Sequence, residues 1–368
     1  LCGNLKGSGF VKFFNILVLF LAFYSVAFAD IDLDQNFLRA TSSTSSLARK
    51  DCDVSDGFSS IVSQEPLGAC QSFAVTAMIE YIFYRETGHV IKLSEKQVTY
   101  NVLNLLIDDF WDKDIEGYIM PVCLGYADLY FDTIEAVTKY GVIPSVNYPW
   151  GDLRQDSSKH LDIYLHEEVF GGRPPRFYSP DEYRGLLDEV FFSPPPKRFN
   201  YAFKKFDFAL GCEYDVVLRT PEELIGYLGV AKDRFTVCIN KDWDSPLFQY
   251  HEEDIKFAQK YFEANAEKKN IPHEMLSGDK IVEKIVDSLE RRMVVEMIGS
   301  VWFGDWLRGN VFYGGGGHAT VIVGYQNRGD DIYFKIRNSW GKDIGIDGYN
   351  YVSASVLLPN ITMIYTYK

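Results

Sequence analysis

The chain has 368 residues, 47 % hydrophobic and 24 % charged, a composition that excludes a mainly disordered protein and provides for about two compact domains. Acidic residues outnumber basic ones by 51 to 37, for a formal charge of −14. That balance opposes a phosphate backbone and excludes nucleic acid as a general partner.

At the N-terminus, Lys6 and Lys12 precede an apolar run over 13–23, and Ala27-Phe28-Ala29 offers small residues around a cleavage point. This pattern predicts a signal peptide over 1–29. The alternative, a membrane anchor, needs ~20 apolar residues, and this run is broken by Asn15 and Ser25. The expectation is a secreted or periplasmic protein, or one sent to a lysosome-like compartment in a eukaryote, with no stable membrane anchor in the mature chain. Residues 30–50 are rich in Ser and Thr and read as a short N-terminal segment or pro-peptide. Removing Cys2 with the signal leaves Cys52, Cys70, Cys123, Cys212 and Cys238. In an oxidising compartment four of these would form disulfides and one thiol would stay free.

Cys70 lies in Gln64-Glu65-Pro66-Leu67-Gly68-Ala69-Cys70-Gln71, where a Pro and Gly turn runs into apolar residues at spacing four: Phe73, Ala77 and Tyr81, with Ala74, Met78 and Ile82. The spacing predicts a helix that starts at Cys70. Unpaired amides and the helix dipole at such a start favour a thiolate; a buried structural cysteine is the alternative. Further along, residues 151–278 hold two proline clusters, a charged helical run over 252–269, and both Cys212 and Cys238. They read either as a folded subdomain, held by a Cys212 to Cys238 bridge and bordering a cleft, or as a decorated loop.

A helix is expected over 281–293 and a strand over 294–298. Two β-rich runs follow, 321–325 and 332–337, joined by a polar turn containing Gly329. They predict a hairpin with His318 at its entry and Asn338 at its exit. In that arrangement Asn338 accepts the imidazole N–H and fixes its tautomer, while the other ring nitrogen faces a thiolate. Pairs such as His166-Glu167, His251-Glu252 and His273-Glu274 lack the spacing of a metal site, and the 314–317 glycine run lacks the Lys-Ser/Thr of a phosphate loop. Neither a metal nor another cofactor is implied. No motif bears on oligomeric state.

With Gln64 six residues before Cys70, then Gly317-His318-Ala319, and then Asn338-Ser339-Trp340-Gly341, the chain resembles a papain-like cysteine peptidase of the C1 type. Leu93-Ser94-Glu95-Lys96-Gln97 and Tyr148-Pro149 resemble further landmarks of that family. The resemblance implies an α+β fold of two lobes: a helical lobe with the nucleophile over 51–150 and a β-rich lobe with His and Asn over 279–368, with the active-site cleft between them. It also implies a Cys70-His318-Asn338 site, an oxyanion hole that includes Gln64, a supporting Trp340, and protein or peptide substrates. Departures are visible: Leu67 stands where the family usually has Cys, Gln71 where it has Trp, and Ile344 where it has an aromatic residue. Cys70 and His318 are 248 residues apart, against roughly 130 to 150 in the papain pattern, and no full-length prodomain fits before residue 51. Two alternatives share the same fold: a catalytically silent secreted binding protein, and a Cys-dependent acyl transferase.

Overall fold

The computed structural model describes residues 50–64, 68–111, 129–151, 180–207, 209–243, 252–299, 302–303, 312–313 and 318–368, all within one unit, Ser46–Lys368. The segment read as a signal peptide, most of the segment 30–50, Cys123 and the glycine run at 314–317 lie outside the described residues.

The helical half is organised by α1 (Cys70–Thr87), which follows the two-residue strand β1 (Cys52–Asp53). Every residue from Cys70 to Phe83 is buried, because the helix is apolar nearly all round and is covered on several sides. It ends where Gly88, at φ 73°, takes the left-handed conformation and its N–H reaches the Tyr84 carbonyl at 2.7 Å, a form of C-cap for which glycine is the favoured residue. Next come α2 (Glu95–Trp111), α3 (Leu129–Tyr140) and α4 (Pro180–Val190). Ser94 caps α2 by accepting the Gln97 N–H at 3.1 Å, and its hydroxyl donates to the Tyr148 carbonyl at 2.6 Å. The two landmark segments thus meet in space.

The hairpin β2 (Tyr201–Asp207) and β3 (Cys212–Leu218) forms a sheet of its own. After α5 (Pro221–Leu228), the strand β4 (Phe235–Asn240) enters the main sheet, and α6 (Glu252–Lys268) connects it to its parallel neighbour β5 (His273–Leu276). All six residues of β4 are buried, as expected for a strand covered on both faces. Parts of 151–278 are therefore strands of the same sheet that carries His318. The helix α7 (Gly278–Glu290) and β6 (Val295–Gly299) match the predicted helix and strand within a few residues.

Short strands β7 (Trp302–Phe303) and β8 (Phe312–Tyr313) pair with each other. The predicted hairpin is β9 (His318–Arg328) and β10 (Asp331–Arg337), turned at Gly329 with φ 64°, and longer than its apolar stretches because the polar residues of the connection also pair. The chain closes with β11 (Tyr349–Ser353), the single turn α8 (Ala354–Leu357) and β12 (Ile361–Tyr367). The main sheet has eight strands in the order β11-β10-β9-β6-β12-β4-β5, with β1 added against β9. At that edge the Cys52 carbonyl lies 2.6 Å from where a Cβ on Gly324 would stand, so only glycine admits the β1 backbone.

One face of this sheet, at β9 and β6, packs on α1, which brings the start of the helix to the strand that begins at His318. A buried ion network joins the halves elsewhere. Lys269, just past α6, lies 2.6 Å from both Asp132 and Glu135 of α3, and Glu135 also pairs with Lys232 at 3.0 Å.

The expected bridge between Cys212 and Cys238 is not formed. Cys212 is exposed on the β2–β3 hairpin, whereas Cys238 is buried in β4 and its thiol donates to the Glu274 carboxylate at 3.3 Å; both are free thiols, as are Cys52 and Cys70. The two cysteines are close in sequence but belong to different sheets, one thiol exposed and the other buried.

Candidate active site

Cys70 is the first residue of α1, and Ala69 before it supplies no side-chain cap. The first-turn amides, orphaned at any helix start, are therefore not used by a capping side chain. Backbone N–H groups of Ala319, Gln71 and Cys70 itself bear on the sulfur and favour its charged form. Ala319 directly follows His318 in β9, so this contact joins the nucleophile candidate to the histidine strand.

Gln64 reaches the site on an extended segment anchored to the loop after β10. Its N–H donates to the Ser339 carbonyl at 2.7 Å, and the Ser339 hydroxyl donates to Gln64 Oε1 at 2.5 Å. With its oxygen committed to a hydroxyl, the amide orientation is set and the NH₂ is its donor end.

His318 and Asn338 sit at the two ends of the β9–β10 hairpin. A β-bulge between Lys335 and Ile336 shifts the register there, and a shift of that kind re-aims the side chains beyond it. His318 Nε2 lies 3.4 Å from Asn338 Oδ1, which also accepts the Ser339 N–H at 2.7 Å. Because Oδ1 only accepts, Nε2 carries the proton and Nδ1 is the basic nitrogen of the neutral ring. Asn338 is held in turn: its N–H donates to the Gly348 carbonyl at 3.1 Å, and its Nδ2 to Asn350 Oδ1 at 3.4 Å. The Trp340 ring stacks on the imidazole with centroids 4.4 Å apart and planes 18° apart. His318, Asn338, Gln64 and Trp340 are thus brought together, and the Ala319 N–H links the histidine strand to Cys70.

Burial sets the resting charge state. Cys70 is 8 % exposed and His318 4 %. Desolvation, the largest influence on each, pushes the thiol up to about 11 and the imidazole down to about 4, although the Asn338 contact supports the charged ring. The thiolate expected from the helix start is not the resting form, because loss of water outweighs the amides and the dipole. Thiol and imidazole are both neutral at rest.

Three contributors escape sequence reasoning. The hydrogen bonds from Ser339 to Gln64 and between Asn350 and Asn338 are ones that no local pattern announces. Glu296 of β6 is wholly buried, and its one sequence signal is an acid inside the apolar run Val294-Val295-Glu296-Met297-Ile298.

A family model described as "Papain family cysteine protease" matches residues 258–364, the span that holds both His318 and Asn338. Over that span the chain is similar to the papain family. Mouse cathepsin F (Mus musculus) is 51 % identical over 35 residues, 10 % of this chain and 8 % of that protein. Human cathepsin O (Homo sapiens) is 35 % identical over 63 residues, 16 % of this chain and 20 % of that protein. The chain therefore aligns with a fifth or less of the length of these curated relatives. PepW from Lactobacillus rhamnosis HN001 superposes with a TM-score of 0.54 at 15 % identity, covering 86 % of this chain and 81 % of PepW, which shows a shared fold. Among the described residues, no group of three or more His, Cys, Asp or Glu is placed to hold a metal ion, and no helix is long and apolar enough to cross a membrane.

Proposed function

We propose that this papain-like chain is an exported cysteine peptidase that hydrolyses peptide bonds through Cys70, His318 and Asn338. The observation that carries the reading is the joining of His318, Asn338, Trp340, Ser339 and Gln64 into one hydrogen-bonded and stacked cluster, with Ala319 linking it to the sulfur of Cys70. Because the resting pair is neutral, the first step couples two movements: Nδ1 of His318 takes the Cys70 proton as the sulfur attacks the peptide carbonyl. The backbone N–H of Cys70 and the NH₂ of Gln64 receive the developing oxyanion. The imidazolium, aligned by Asn338, then protonates the departing amine. Water, deprotonated by His318, finally releases the acyl group and restores the thiol.

The Gln64 assignment has its own test. Gln64→Ala should lower kcat on a fluorogenic peptide by about 10²- to 10³-fold, as for loss of one oxyanion donor, with little change in KM. A rise in KM at constant kcat would instead place Gln64 in uniform substrate binding.

A further inference from the structure

Asn350 stands on the buried face of β11, at one edge of the main sheet. Its neighbours Tyr349 and Tyr351 are half-buried, whereas Asn350 is 2 % exposed. The residue opposite it on β10 is Ile336, which offers an amide no hydrogen bond. A buried amide needs polar partners, and one half of this one has them: Asn350 Oδ1 accepts from Nδ2 of Asn338 at 3.4 Å, while its own Nδ2 has no hydrogen-bond partner among the described residues. The strand register brings the two amides together. Past the pair Arg337 and Tyr349, the Asn338 N–H donates to the Gly348 carbonyl at 3.1 Å. Glycine puts no side chain there, so the Asn338 amide reaches the diagonal residue, Asn350.

Each contact of the Asn338 amide has a direction. Its Oδ1 accepts the Ser339 N–H at 2.7 Å and lies 3.4 Å from His318 Nε2, and its Nδ2 donates to Asn350. Turning the amide over would set its NH₂ against the Ser339 N–H, donor against donor, and its oxygen against Asn350 Oδ1, acceptor against acceptor. It would also present a donor to His318 Nε2, and the proton of the neutral ring would then move to Nδ1, the nitrogen the reaction needs as its base. We propose that Asn350 is a positioning residue: an acceptor that holds the Asn338 amide the right way round and thereby keeps Nδ1 of His318 unprotonated. The Ser339 N–H guards one end of the amide and Asn350 guards the other. The inference rests on the Cys70-His318-Asn338 reading, but the tautomer of the ring is read without any hydrolysis.

The test is nitrogen-15 NMR of the His318 ring in the full chain at neutral pH, where burial keeps the imidazole uncharged, together with kcat and KM on a fluorogenic peptide. Wild type is compared with Asn350→Leu, which offers no acceptor, and with Asn350→Asp, which keeps an oxygen acceptor in either charge state. Wild type should carry the ring proton on Nε2. Asn350→Leu should show both tautomers in exchange, with KM unchanged and kcat lowered about tenfold, the worth of one hydrogen bond. Asn350→Asp should restore the wild-type tautomer and most of kcat. A merely structural role would lower the melting temperature of Asn350→Leu and leave the tautomer alone. A wild-type ring protonated on Nδ1 would overturn the proposal. So would a folded Asn350→Leu protein with the Nε2 proton and the wild-type kcat, or failure of aspartate to restore what leucine loses. If leucine moves the proton and aspartate returns it while even wild type hydrolyses no peptide, the peptidase reading fails and this inference stands.

Discussion

Replacing Cys70 with alanine is expected to lower kcat/KM for a peptide substrate by about four orders of magnitude or more, the loss seen when a nucleophile is deleted from a unit that acts together. The fold should survive. Alanine is the best helix former, the helix start carries no side-chain cap that the change would remove, and the thiol donates no hydrogen bond on which α1 depends. Circular dichroism should therefore show the native spectrum and a cooperative melt within a few degrees of wild type. Hydrolysis that persists in a well-folded Cys70→Ala protein would transfer the chemistry to another residue; the exposed Cys212 is the first to examine.

Loss of the base ranks next. His318→Ala should reduce the rate by about 10²- to 10⁴-fold, the range of general acid–base catalysis. Asn338→Ala should cost less, because Asn338 orients the imidazole and exchanges no proton with it. Its effect should fall on kcat, since Asn338 Oδ1 fixes the tautomer that presents Nδ1 as the base. Trp340 and the strand pairing of β9 with β10 still hold the ring approximately in place when the amide is gone. Parallel measurement of kcat on the two variants checks the order; an equal or larger loss for Asn338→Ala would mean that the amide takes a direct part in the chemistry.

The parts of this site that were legible in the sequence share one property: each is announced by residues close together in the chain. The helix after Cys70 shows apolar spacing of four, and the β9–β10 hairpin shows two β-rich runs around Gly329. Those elements deliver Cys70, His318 and Asn338 to their places without further information. The entry of β4 and β5 into the main sheet was not legible, because the partner of β4 across the antiparallel edge is β12, more than a hundred residues further on, and the six-residue run Phe235 to Asn240 carries no mark of which strand it joins. Short separation in sequence suggested a bridge between Cys212 and Cys238 for the same reason that it failed: nearness along the chain says nothing about which sheet each residue enters. The neutral state of Cys70 was also hidden. A helix start is visible in sequence, but the depth of burial that outweighs its field is a property of the assembled core.

Glu296 shows a different kind of illegibility. An acid inside an apolar strand is conspicuous, yet the sequence alone does not say whether it faces solvent, a cation or a neutral group. The pairing of β6 with both β9 and β12, and the packing of α1 against β6, bury it.

The account turns on one thiol being the nucleophile, and reaction of the full chain with an epoxysuccinyl peptide, followed by mass spectrometric location of the adduct, tests that most directly. The account predicts a single adduct on Cys70, formed in step with loss of peptide hydrolysis and absent from His318→Ala at the same exposure. An adduct confined to Cys212 or Cys52, or complete inactivation with Cys70 unmodified, would contradict it.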